Sequence, residues 1–95
     1  MSSKIDLLFS HIDYIFNKNW KSQKTTNKAC FNNISIPFDE YVIERHFLGE
    51  ITVSVPLNEV AYKKTFLHND NINSIIDYLK MHVELYENRY KSNNV

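Results

Sequence analysis

The apolar residues of this chain change period twice, and that change bounds the fold more tightly than any other feature of the sequence. In the first segment Ile5, Leu8, Phe9, Ile12, Ile15 and Phe16, with Trp20 at the end, recur at the spacing of one buried helix face. Ser3 followed by Asp6 reads as a capping box that starts the helix near Lys4. The last segment repeats the pattern with Ile72, Ile75, Ile76, Leu79, Val83, Tyr86 and Tyr90, and Asn69, Asp70 and Asn71 offer caps ahead of it. Met81 and Leu85 are expected to widen its apolar face, and residues 91–95 to fray.

Between these helices the period falls to two. "EYVIERHFL", "EITVSVPL" and "EVAYKKTFL" are rich in β-branched and aromatic residues and read as strands, and "NISIP" adds a fourth, edge strand ending at Pro37. The expected architecture is α+β: an N-terminal helix, a three- to four-stranded antiparallel meander and a C-terminal helix, with both helices on one face of the sheet. At 95 residues, 43% of them apolar, the chain suits one domain over residues 1–95 with one modest core. The one long stretch without a period, about residues 18–30, reads as an irregular basic linker.

Strand parity also decides how to read "IERHFLGEI", the stretch that most resembles a catalytic cluster. Neighbouring strand residues face opposite ways, so Glu44 and His46 share one face and Arg45 takes the other. Ile51, Val53, Val55 and Leu57 mark the buried face of the next strand, matched by Tyr41, Ile43 and Phe47. Pairing Phe47 with Ile51 and Ile43 with Val55 requires the loop Leu48-Gly49-Glu50, and a two-residue Gly49-Glu50 turn is the alternative. A tight turn at Asn58-Glu59 then pairs Leu57 with Val60, Val55 with Tyr62 and Ile51 with Phe66. The outer face reads Glu44–Ser54–Lys63 in one row and His46–Thr52–Thr65 in the next. Arg45 and Lys64 fall on the helix side, where they must snorkel to the rim or meet an acidic partner.

Little else suggests reaction chemistry. The histidines, at 11, 46, 68 and 82, have no metal-ligand spacing, and one glycine rules out the glycine-rich phosphate loops. A lone Cys30 forms no internal disulfide, and it fits a small apolar residue better than a nucleophile. Nothing in the pattern implies a cofactor. The N-terminus is interrupted by Asp6, His11 and Asp13, so it reads as neither a leader peptide nor a membrane span, and the expected location is the cytoplasm.

Eleven basic and eleven acidic residues give zero net charge, unlike a chain that lives by coating phosphate. The charges are nevertheless segregated: no acid occurs between Tyr14 and Phe38, whereas Asp39, Glu40, Glu44, Glu50 and Glu59 crowd the meander. Split surfaces favour protein partners. Abundant Asn, Ile and Lys, with nine lysines against two arginines, is the usage of AT-rich genes, common in phages and plasmids.

The expectation is therefore a non-enzymatic inhibitor of a partner protein, of the immunity, antitoxin or anti-defence kind. Its partner would be a basic, nuclease-like toxin, met by Glu40, Glu44, His46, Glu50 and Glu59. The second reading is a nucleic-acid-binding regulator that uses Lys18, Trp20, Lys21, Lys24 and Lys28 to grip phosphates and stack bases. Exposed sheet edges also leave room for a homodimer.

Overall fold

A computed structural model of the chain describes residues 4–16, 18–36, 38–57, 60–67 and 69–93. Helix α1 (Lys4–Ile12) leads into strands β1 (Trp20–Lys24), β2 (Lys28–Asn33), β3 (Glu40–Arg45), β4 (Ile51–Leu57) and β5 (Val60–Phe66), and helix α2 (Ile72–Asn93) closes the chain. The strands form one antiparallel sheet in the order β1-β2-β3-β4-β5. The α+β class and the helix–meander–helix order are as the sequence predicts. The strand count is not: five strands replace three or four.

The added strands come from the stretch expected to be an irregular linker. Residues 20–33 fold as a hairpin with Lys24 opposite Ala29, closed by the Thr25 N–H donating to the Lys28 carbonyl at 2.8 Å. Trp20, Ala29 and Phe31 point inward and are buried, while Lys21, Gln23 and Lys28 stay exposed. The expected strand through Ile36 is absent: β2 ends at Asn33, whose side-chain oxygen accepts from the N–H groups of Ser35 and Ile36 and turns the chain. Pro37, Asn58 and Glu59 lie outside the described residues, as do Ser3, His68 and the last two residues.

Helix α1 ends sooner than its periodicity suggests. After Ile12 the bonds tighten to three-residue spacing, with Tyr14 N–H donating to the His11 carbonyl and Ile15 N–H to that of Ile12. Phe16 and Trp20 still reach the core, but from a turn and a strand. Helix α2 starts after Asn71, whose side-chain oxygen accepts from the Asn73 N–H at 2.8 Å. It continues to Asn93, through residues expected to fray. Its buried stripe is Ile75, Leu79 and Val83; Met81 and Leu85 are exposed instead of widening that stripe.

One core fills the space between the helices and the inner sheet face, from Leu8 and Ile12 through Ile43, Val53 and Val55 to Leu79. Its β1–β3 side is aromatic. Phe16 stacks on Phe31 with ring centroids 4.0 Å apart, and Trp20 meets Phe16, Tyr41 and Tyr86 at 5.2–5.4 Å. The Tyr41 hydroxyl donates to the His82 carbonyl at 3.2 Å, and the Tyr86 hydroxyl donates to the Asp39 carboxylate. Burial, and then the nearby Asp39 and Glu87 charges, raise the Tyr41 pKa, so its hydroxyl keeps the proton that it donates.

Candidate functional site

The β3–β4 hairpin holds most of the residues expected to meet a partner, and its turn differs from the expected one. Arg45 opposes Ile51, Ile43 opposes Val53 and Val42 opposes Ser54. The loop is Phe47-Leu48-Gly49, closed by His46 N–H donating to the Glu50 carbonyl at 2.8 Å and Gly49 N–H to that of His46 at 2.9 Å. Gly49 has φ 94°, the left-handed conformation that the third place of such a loop requires. That requirement fixes the loop one residue earlier than the hydrophobic pattern implies. The pairing shifts by two residues, so every side chain keeps its face, but Phe47 leaves the core for the tip. There Phe47 is 98% and Leu48 75% exposed.

The outer rows change with the register. They run Lys28–Glu44–Thr52–Thr65 and Cys30–Val42–Ser54–Lys63, replacing the rows expected from the sequence. His46 remains beside Thr52, its Nε2 sharing a 2.6 Å hydrogen bond with the Thr52 hydroxyl. Glu44 and Glu50 are half-buried on either side of the tip. Glu40 sits further along the sheet and accepts from the Asn32 side-chain amide at 2.9 Å. Exposed Lys21, Lys28 and Lys63 share this face with Glu40 and Glu44, so it is mixed in charge and not acidic as expected. Cys30, in the middle of β2, has its thiol pKa raised by burial and by Glu40, which disfavours the reactive thiolate at neutral pH.

The residues proposed to grip nucleic acid do not converge. Trp20 is 7% exposed and enclosed by Phe16, Tyr41 and Tyr86, which leaves no open ring face for a base. Lys21 and Lys28 lie on the outer face, whereas Lys24 turns to the helix side and pairs with Asp13 after α1. Only Lys18, Lys21 and Lys28 of the expected set remain exposed without a described ion pair. Phe31, the other ring flanking that stretch, is also buried. Lys64 rises over the rings of Phe66 and Tyr78, 5.2 and 4.9 Å from their centroids, so it takes the rim position expected of it.

Two features escaped sequence reasoning. The first is the exposed apolar tip. Its only sequence signal was the interruption of the inward series by Arg45, which implies that the strand is leaving the core before Phe47. The second is an open cleft of about 420 Å³ between the end of α1 and α2, bordered by His11, Tyr14, Lys80, Glu84 and Glu87. It assembles residues nearly seventy positions apart, which no local pattern could join. Among the described residues no three His, Cys, Asp or Glu side chains gather closely enough to hold a metal ion, and no helix is long and apolar enough to cross a membrane.

The arrangement defines a class of protein: an α+β sandwich with both helices on one face of a five-stranded antiparallel meander and an exposed apolar hairpin tip. No protein-family model, curated protein sequence or solved structure matches the chain.

Proposed function

We propose that this protein is a small, non-enzymatic cytoplasmic inhibitor that docks onto a partner protein through the tip of its β3–β4 hairpin. The observation that carries this reading is the pair Phe47 and Leu48, large apolar residues 98% and 75% exposed on a turn closed by two backbone hydrogen bonds. An aromatic side chain presented this way is the kind of anchor that dominates binding energy once it fills a pocket. A rigid turn also lowers the entropy lost on docking. Glu44, His46 and Glu50 flank the anchor and would meet a basic rim. The partner is therefore a protein with an apolar pocket bordered by basic groups, as surrounds the active site of an enzyme that cleaves nucleic acid. Covering that site would inhibit it, the mode of an immunity or antitoxin protein from a mobile element.

The test compares affinity capture by the wild type and by the double variant Phe47→Ser, Leu48→Ser, from nuclease-treated lysate of the source cells. A protein retained in near-stoichiometric amount by the wild type and lost from the variant supports the reading. Equal retention by both overturns it. Nucleic acid captured alone, with proteins lost on nuclease treatment, transfers the function to the exposed lysines of β1 and β2.

A further inference from the structure

We propose that the free edge of β5 is a second recognition site, separate from the hairpin tip, which takes up an extended acidic segment of another protein as a sixth strand. β5 is an outer strand of the sheet and its pairing with β4 is unbroken from Leu57–Val60 to Ile51–Phe66. Seven residues at about 3.3 Å each give an edge of about 23 Å. Strand edges are commonly blunted by a bulge, a proline, a short length or a covering element. β5 has no offset in its register and no proline, and Ala61, Tyr62, Lys63, Lys64 and Thr65 are all exposed.

The remaining device, lysine, selects the occupant. Lys63 lies on the outer face and Lys64 on the helix face, so positive charge stands on both sides of the same edge. Among the described residues no carboxylate pairs with either, and Lys64 is held in place by the rings of Phe66 and Tyr78. Full antiparallel pairing of β5 with a second copy, Val60 against Phe66, would set Lys63 against itself, and like charges directly opposite repel. A strand with two successive acidic residues would place one carboxylate toward each lysine, while its backbone completed the ladder. The other outer strand, β1, is shorter, and its Lys24 is already paired with Asp13.

The probe is a fluorescein-labelled peptide, Thr-Val-Thr-Glu-Glu-Val-Thr-Val, titrated with the whole chain at low salt and read by anisotropy. Saturable binding is expected, weakened about tenfold or more by Lys63→Glu, Lys64→Glu, as reversing two exposed cross-strand pairs predicts. Methylating alternate backbone nitrogens of the peptide should abolish binding, and amide shifts in the NMR spectrum should concentrate in residues 60–66. The peptide variants test the site without altering the protein. Equal binding by the double lysine variant, shifts confined to another surface, or displacement by a thymidine oligonucleotide would each overturn the proposal. So would a dimer in sedimentation equilibrium that the peptide dissociates, which would assign the edge to a second copy. The Phe47→Ser, Leu48→Ser variant should bind the peptide as the wild type does, so failure at the tip and failure at the edge are distinguishable.

Discussion

Phe47→Ala should leave stability nearly unchanged, although it removes a phenyl ring from the end of a strand-like run of apolar residues. The ring is 98% exposed, so folding removes almost none of its surface from water. At about 25 cal/mol per Å² of buried apolar area the transfer contribution is close to zero, and the expected change is within about 0.5 kcal/mol. Phe31 is the control. It is 1% exposed and stacked on Phe16, so Phe31→Ala should cost about 3–5 kcal/mol. Gly49→Ala completes the set: a Cβ at φ 94° should cost about 1–2 kcal/mol while removing no packing contact. Urea titration followed by Trp20 fluorescence suits the comparison, because this sole tryptophan is 7% exposed when folded and passes into water on unfolding. A loss above about 2 kcal/mol for Phe47→Ala would refute the register. It would mean that Phe47 packs opposite Ile51, as the alternation of apolar residues alone implies.

Two further outcomes test the helix–sheet contacts. His82 has its pKa lowered from 6.5 by burial and by the Lys64 charge, so the unfolded chain binds more protons than the folded one just below that value. Stability contributed by neutral His82 should be complete above pH 6.5 and decline as pH falls toward the depressed folded value. Urea midpoints at pH 7.5 and 5.5 should show that decline in the wild type and a smaller one in His82→Gln. Tyr86→Phe removes a donor to the half-buried Asp39 carboxylate while keeping the ring against Trp20, and thermal unfolding should register a loss of about 1–3 kcal/mol.

What could be read from the sequence depended on how much of each element faces the core. Helix α2 and strands β3 and β4 each bury a run of residues at their own period. β5 buries Phe66 at its end and follows from its pairing, and the β4–β5 pairs, from Leu57–Val60 to Ile51–Phe66, are those expected. The β1–β2 hairpin was illegible for the opposite reason. β1 buries Trp20 alone, and β2 only Ala29 and Phe31, so lysine and polar residues dominate a segment whose strand character comes from pairing. Met81 and Leu85 illustrate the same limit on a helix, where apolar type at the margin of a stripe does not ensure burial. Glu44 and His46 were placed on the correct face because parity survives a two-residue shift. Glu44 exchanged Ser54 for Thr52 as its cross-strand neighbour, since Gly49 decides where the loop begins, while the His46 side chain still reaches Thr52.

The same glycine links the fold to the proposed activity. The aromatic cluster of Phe16, Trp20, Phe31, Tyr41 and Tyr86 ties β1, β2, β3 and α2 together, and the inward series continues along β3 only as far as Ile43. Arg45, the next inward position, is exposed, so beyond it the hairpin contributes little to the core. A tip in that position is free to carry Phe47 and Leu48 without cost to packing, while the ladder behind it keeps them in one orientation. Stability and the proposed recognition would therefore rest on different parts of one hairpin. A substitution at the tip that abolishes capture of a partner while leaving the urea midpoint unchanged would follow from that division, whereas a core position such as Ile43 has no such freedom.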